Sequence, residues 1–290
     1  MTIAAYLNAR GGTAKQAIAA LREAEGFALQ PVAPEQLADA LRAEVARGTP
    51  RVLVAGGDGT LSAAAAVLVN AVTELAILPA GTRNHFARDH GVPDDPIQAL
   101  ELARSGIAHP VDVGWVNDHL FLNTSSVGAY VSFVRVRERL ERYVGYRLAS
   151  LVAALNVMMR VRRFRVILQA DEQERAYDTT LVFISVGQRT IGIRSLGTRR
   201  LDEDSGRLLH ILVPRPGTTV RSLARRYAVR GRGAHAIGAD LPLADGMLTE
   251  RCTIELRRPL GRVALDGELV VMEAPLKYRI GHGALKVVLP

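Results

Sequence analysis

The sequence predicts two domains: an α/β N-terminal domain with a parallel sheet, followed by a C-terminal antiparallel β-sandwich domain. Three observations predict this. Up to about residue 110, short apolar runs alternate with stretches of helical periodicity, the pattern of β/α units whose sheet is covered on both faces. From Val111 onward, short β-like runs are separated by Gly, Asp, Asn or Pro, which is the punctuation of a sandwich. Between Arg51 and Asp89, two apolar runs each end in a polar, glycine-bearing turn, and turns at the ends of successive parallel strands face one crevice.

The elements follow in order. Ile3 to Leu7 reads as a strand, Asn8 to Thr13 as a polar turn with glycines, and about Ala14 to Glu25 as a helix with Ile18 and Leu21 on one side. Phe27 to Val32 is a second strand. Pro34 to Arg47 is a second helix, with Leu37, Leu41 and Val45 at helical spacing and a proline where the missing N–H costs nothing. Val52 to Ala55 is a strand broken by Gly56-Gly57-Asp58-Gly59-Thr60, after which Leu61 to Ala71 has helical composition. Leu75 to Leu78 is the next strand and ends in Pro79-Ala80-Gly81-Thr82-Arg83-Asn84. A helix from about Asp94 to Arg104 stops at Ser105-Gly106, and a boundary near His109-Pro110 divides the chain into 1–110 and 111–290.

In the second part, strands are expected at Val111 to Val116, Leu120 to Thr124, Arg165 to Ala170, Asp178 to Val186, Leu208 to Val213, Thr253 to Arg257, Gly261 to Leu265 and Leu285 to Leu289. One long interruption, Val131 to Val161, is helical in pattern and basic. Its apolar set of Leu140, Val144, Leu148, Leu151, Leu155 and Met158 is bordered by arginines such as Arg135, Arg139 and Arg147. Two readings stand for it: a surface helix packed on the sandwich, or a face that lies on a membrane. A second basic stretch, Arg221 to Arg232, carries the same two readings.

Composition narrows the classes. With 290 residues, 48% hydrophobic and 23% charged, the chain is an ordinary folded protein long enough for one large core or two modest ones. One cysteine, Cys252, excludes an internal disulfide framework, fits a reducing compartment, and leaves no Cys/His cluster at zinc spacing. No apolar run approaches a membrane-spanning length and the N-terminus lacks signal-peptide features, so a soluble or peripheral protein is expected. A net charge of +8 favours an anionic partner. Nucleic acid is disfavoured, because aromatics are only 5% and no nucleic-acid-binding signature is present. Nucleotide and an anionic membrane surface fit better.

Three glycines within four positions at Gly56 to Gly59 let backbone N–H groups approach a ligand, and the following helix N-terminus favours an anion. Neither polar turn has the spacing of a P-loop or of the dinucleotide fingerprint, so polyphosphate would be held by another arrangement. A carboxylate inside such a turn, Asp58, is awkward beside phosphate unless it works through a metal or a substrate hydroxyl. Asp266-Gly267-Glu268, between two β runs, reads from spacing alone as a hairpin turn with solvated acids.

These residues carry a resemblance. Gly56-Gly57-Asp58-Gly59-Thr60 with Leu78-Pro79-Ala80-Gly81-Thr82-Arg83-Asn84-His85-Phe86-Ala87-Arg88 resembles the diacylglycerol kinase catalytic-domain family, which includes bacterial lipid kinases and sphingosine kinases. The first motif is shared with NAD kinases; the second separates them. The likeness extends to Asn8-Ala9-Arg10-Gly11-Gly12, to Leu120-Phe121-Leu122-Asn123 with Val127-Gly128, and to Asp266-Gly267-Glu268. The Asn84-His85-Phe86 variant resembles one subgroup of that family.

The resemblance implies an ATP-dependent lipid kinase with Mg2+ as cofactor. Glu268 would be the general base on the lipid hydroxyl and Asp58 would act at the metal and the nucleotide phosphates. Gly56, Gly57, Gly59, Thr60, Gly81, Thr82 and Asn84 would bind the nucleotide phosphates, with Asn8 and Gly12 closing the nucleotide cleft between the two domains. Asp202 and Asp204 would correspond to an Asp-Asp-Gly segment that holds a structural magnesium in some members. The expected substrate is a membrane lipid such as diacylglycerol, the expected location is cytoplasmic and peripheral on the inner face of the membrane, and a homodimer is left open.

Departures from the family pattern are specific. His85 stands at a usual aspartate and Arg83 at a usual glycine; Ser62-Ala63 replaces an asparagine-glutamate pair; Ser205 replaces the second aspartate of the Asp-Asp-Gly segment. Two alternatives therefore accompany the kinase: an NAD kinase-like enzyme, and a catalytically degenerate regulator that binds nucleotide or anionic lipid.

Overall fold

The computed structural model describes residues 2–8, 14–129, 131, 134–136, 139–140, 143, 163–170, 173–187, 189–191, 196–199, 208–214 and 244–290. In chain order the elements are β1 (Ile3–Asn8), α1 (Ala14–Glu23), β2 (Phe27–Val32), α2 (Pro34–Ala46), β3 (Arg51–Gly56), α3 (Asp58–Leu68), β4 (Glu74–Pro79), α4 (His85–Asp89), α5 (Pro96–Ser105) and β5 (Ile107–Val116). They are followed by β6 (His119–Phe121), β7 (Thr124–Gly128), β8 (Phe164–Ala170), β9 (Gln173–Thr179), β10 (Leu181–Val186), β11 (Arg189–Ile191) and β12 (Leu196–Arg199). The last are β13 (Leu209–Pro214), β14 (Ala244–Thr249), β15 (Arg251–Leu256), β16 (Leu260–Leu265), β17 (Glu268–Glu273) and β18 (Leu276–Leu289). The chain divides into two units, Met1–Val113 with Gly281–Pro290, and Gly114–Ile280.

The first unit is a parallel sheet in the order β2-β1-β3-β4, with the end of β18 joined to β4 through Val287 and Leu75. Alternation along β1 explains the layers. Ala5 and Leu7 pack with Ala17 and Leu21 of α1 and with Ala99, Leu100 and Ala103 of α5. Tyr6 points to the other face, where its hydroxyl donates to Glu44 of α2 at 2.6 Å. Leu41, Leu61 and Leu68 of α2 and α3 are fully buried, and truncating any one of them to alanine costs about 2–5 kcal/mol. The sequence boundary near residue 110 falls just short of the unit's main segment, and the structure adds Gly281–Pro290 to it. That addition was not legible because strand β18 begins in one unit and ends in the other, whereas the sequence shows only an apolar run at its end.

The second unit contains two antiparallel sheets. One places β18 beside β15, β8 and β9; the other runs β14-β13-β10-β7-β16-β17. Both contribute to one apolar core, Val166, Leu168, Ile254 and Leu276 from the first with Val182, Ile184, Ile211 and Val263 from the second, so the unit is a sandwich. The expected single strand Asp178 to Val186 is two strands. Thr179 bends the chain, its hydroxyl bonding the carbonyls of Leu181 and Pro214, and β9 joins one sheet while β10 joins the other.

Of the basic helical stretch Val131 to Val161, only residues 131, 134–136, 139, 140 and 143 are described; these are helical, and Val131 and Val134 pack against Ala264. The Arg221 to Arg232 stretch, Gly12, Asp202 and Asp204 lie outside the described residues. No helix among the described residues is long and apolar enough to cross a membrane.

Candidate active site

Parallel strands β3 and β4 are neighbours in register, with Gly56 opposite Pro79, so the two polar turns leave the sheet side by side. The ladder continues one step further through the Ala80 N–H and the Gly56 carbonyl, at 3.0 Å. The backbones then touch. A Cβ built on Gly81 would stand 2.5 Å from the Gly57 Cα, and one built on Gly57 would stand 3.0 Å from the Gly81 Cα. Gly81 has no room for a Cβ against the Gly57 backbone, and Gly57 could take one only if the Gly81 backbone gave way. Gly56 has a separate reason: its missing Cβ is the space occupied by the Thr60 side chain, 2.5 Å away.

Helix α3 starts three residues before the expected Leu61, inside the glycine motif, with Gly57 as its N-cap and Asp58 as its first residue. An acid in the first turn complements the positive end of the helix, which favours this early start. The first bond of the helical ladder runs from the Leu61 N–H to the Gly57 carbonyl at 3.0 Å. The N–H groups of Asp58 and Gly59 precede it and have no partner within the helix, which makes the terminus suited to an anion.

Asp58 faces the second turn. Its Oδ1 accepts the N–H of Phe86 at 3.0 Å, so the carboxylate of the first motif holds the first turn of α4, a helix the sequence reading did not include. Asn84, at the N-cap of α4, has φ of 51° and is buried. Its side-chain amide closes on Gly81 from both ends, accepting from the Gly81 N–H at 2.9 Å and donating to the Gly81 carbonyl at 3.1 Å. Asn84 thereby shapes the turn, with its amide engaged by backbone. Thr82 and His85 are exposed at the tip, and Phe86 is buried with its ring against His90 at 4.4 Å. Asn8 ends β1, the strand beside β3.

In the second unit, Asp266 and Gly267 form the two-residue turn of the β16–β17 hairpin, with φ of 48° and 94° and Leu265 opposite Glu268. Both φ values are positive, as the turn favoured by Asp-Gly requires. The Asp266 carboxylate is not simply solvated: it accepts the N–H groups of Leu122, Asn123 and Thr124 at 2.7, 2.8 and 2.9 Å. The Asp266 N–H donates in turn to the Thr124 carbonyl at 2.8 Å. The segment Leu122-Asn123 is thus clamped to the hairpin turn, and Glu268, the next residue after it, is exposed at the start of β17. Sequence reasoning missed this clamp. Its only signal was the pairing of Leu-Asn and Asp-Gly-Glu motifs far apart in the chain.

The residues suit a magnesium ion in one limited respect. Among the described residues no group of three or more His, Cys, Asp or Glu side chains could form a dedicated cage. Asp58 is partly exposed and commits only Oδ1 to Phe86. A single carboxylate beside phosphates is the donor set that magnesium commonly uses, the remaining positions being filled by phosphate oxygens and water.

The family model of the "Diacylglycerol kinase catalytic domain" matches residues 7–116. The chain is 30% identical over 257 residues to a diacylglycerol kinase of Mycobacterium tuberculosis, covering 86% of this chain and 80% of that one. It is also 30% identical over 251 residues to a "Probable lipid kinase YegS-like" of Pseudomonas putida, covering 85% and 79%. In fold it is similar to a crystal structure of a diacylglycerol kinase from Bacillus anthracis, with a TM-score of 0.71 at 17% identity over 100% of this chain and 97% of that chain. Taken with the paired glycine turns and the Asp-Gly-Glu hairpin, these likenesses establish that the chain belongs to the diacylglycerol kinase catalytic-domain family of lipid kinases.

Proposed function

We propose that this enzyme transfers the γ-phosphate of ATP to the hydroxyl of diacylglycerol or a related membrane lipid. The observation that carries the proposal is the contact of two glycine turns at the N-terminus of α3, with Asp58 fixed between them by the Phe86 N–H. Phosphoryl transfer asks for positioning and charge stabilisation more than covalent work, and this terminus offers oriented backbone donors at no cost of reorganisation. The N–H groups of Asp58 and Gly59 would meet the phosphates, with Thr60 and Thr82 supplying hydroxyls nearby.

Asp58 would hold magnesium through the oxygen that Phe86 leaves open. Magnesium, when bound, neutralises charge on the phosphate oxygens. Glu268 would accept the proton of the lipid hydroxyl. The hydroxyl oxygen then bonds to the γ-phosphorus, the bond from that phosphorus to the bridging oxygen breaks, and ADP leaves with the electron pair. Asp266 keeps Glu268 in place by clamping its turn to Leu122–Thr124.

The proposal places the protein at the inner face of the cytoplasmic membrane, where such lipids and ATP meet. The test is transfer of labelled γ-phosphate from Mg-ATP to a panel of lipids in mixed micelles, with NAD as a water-soluble acceptor. Label in diacylglycerol or another hydroxyl-bearing lipid is expected. Label in NAD alone, or nucleotide binding with no label in any acceptor, overturns it in favour of an NAD kinase or a regulator respectively.

A further inference from the structure

The outer end of the β16–β17 hairpin, far along the strands from the Asp266-Gly267 turn, combines exposed apolar and cationic side chains. Val263 and Leu265 of β16 and Met272 of β17 face the sandwich core. By alternation Leu260, Arg262 and Val271 share the opposite face. Leu260 is 56% exposed and Val271 59%. Arg262 lies directly opposite Val271, and Leu260 is two residues along from Arg262, diagonal to Val271, so the three side chains are neighbours. Arg257 and Arg258, both exposed, lead into this corner from the end of β15. None of the three arginines makes a hydrogen bond or an ion pair among the described residues. Glu273, opposite Leu260, is the one acid on this face of the hairpin.

Single exposed apolar residues need no explanation, but two on one face of a hairpin, with Arg262 on the same face and the exposed Arg257 and Arg258 two or three positions before Leu260 in the chain, are a different surface. A bilayer bearing acidic headgroups offers both of the complements: an apolar layer for Leu260 and Val271, and phosphate charge for the guanidinium groups. We infer that this corner, Arg257, Arg258, Leu260, Arg262 and Val271, is a docking surface for an anionic lipid bilayer. The charge arrangement decides against a second copy of this chain, since a self-complementary contact there would bring like arginines together. The inference rests on the lipid-kinase reading only for its purpose, which is to hold the enzyme on the surface that contains its substrate.

The test is sedimentation of the full chain with vesicles of phosphatidylglycerol and phosphatidylcholine, and with vesicles of phosphatidylcholine alone. The wild type is expected to bind the anionic vesicles, more weakly as salt rises. Arg257→Gln/Arg258→Gln/Arg262→Gln should bind them about a hundredfold less, at roughly a factor of five per arginine. Leu260→Ser/Val271→Ser should bind about tenfold less. The triple variant should keep wild-type activity on a short-chain acceptor offered without a bilayer, which also verifies its fold. Unchanged vesicle binding by both variants, or equal binding of the wild type to neutral vesicles, overturns the inference. So does a dimeric wild type that Leu260→Ser/Val271→Ser renders monomeric while its vesicle binding persists. Vesicle binding through this corner by a chain that phosphorylates no lipid would support the docking surface and remove only the kinase reading.

Discussion

The Asp58 carboxylate accepts the backbone N–H of Phe86 at 3.0 Å, so the first residue of one helix anchors the first turn of another, twenty-eight positions on. This bond gives Asp58 two separable jobs. Asparagine keeps an acceptor oxygen for Phe86 but removes the charge that the proposed mechanism uses beside phosphate and metal. Asp58→Asn should therefore stay within about 0.5 kcal/mol of wild-type stability while losing activity by at least about a hundredfold. Asp58→Ala should lose the activity and also about 1 kcal/mol of stability, as removal of a helix cap does. Denaturant unfolding and phosphate-transfer rates on the same preparations check both statements.

Gly81→Ala tests the contact between the turns. The new Cβ would meet the Gly57 Cα at 2.5 Å and Asn84 Oδ1 at 2.8 Å, and the first of these is backbone that cannot swing away. A destabilisation of about 1–3 kcal/mol is expected, with loss of nucleotide binding measured by calorimetry. Gly267→Ala makes the contrast, since its Cβ meets nothing within 4 Å and its penalty comes only from the positive φ. That variant should bind nucleotide as the wild type does.

Much of this framework was legible in the sequence. The strands and helices of the first unit follow from apolar periodicity, and the adjacency of the two turns follows from parallel β3 and β4, whose ends must emerge on the same edge. What escaped was set by contacts the local pattern does not encode. The early start of α3 depends on an N-cap glycine that reads equally well as part of a loop. The short helix α4 is held by Asp58 from another element. Thr179 turns an apparently continuous β run from one sheet to the other. The bonds from Leu122, Asn123 and Thr124 to Asp266 span 144, 143 and 142 positions, beyond any spacing argument.

That last clamp predicts a difference between neighbouring acids. Asp266→Ala leaves three backbone N–H groups without their acceptor and should cost about 3 kcal/mol. Glu268→Gln, at an exposed position, should leave stability within about 0.5 kcal/mol. Thermal unfolding of the two variants side by side separates positioning from chemistry.

The pH dependence of stability should carry the signature of Tyr6 and Glu44. Burial pushes the Glu44 carboxyl up, but the hydrogen bonds from Thr49, Tyr6 and Arg47 together outweigh it and hold the group below its ordinary value of 4.5. Burial first, then the Glu44 carboxylate, pushes the Tyr6 hydroxyl from 10.0 up to about 12. For Glu44 the folded value is the lower one, so its contribution is present above the unfolded value and is lost as pH falls through the folded one. For Tyr6 the folded value is the higher, so its contribution is present below pH 10 and is lost by about pH 12. The stability gap between wild type and Glu44→Gln should be largest near neutrality and shrink as pH falls below the ordinary carboxyl value of 4.5 and on through the lower folded one, as measured by denaturant unfolding across pH.

The central claim is that Asp58 and Glu268 serve phosphate transfer to a lipid. Its most direct measurement is the rate of labelled phosphate transfer from Mg-ATP to diacylglycerol in mixed micelles by wild type, Asp58→Asn and Glu268→Gln, each verified as folded. The account predicts phosphorylated lipid from the wild type and a loss of at least about a hundredfold in both variants. Folded variants that transfer phosphate to the lipid as fast as the wild type would contradict it.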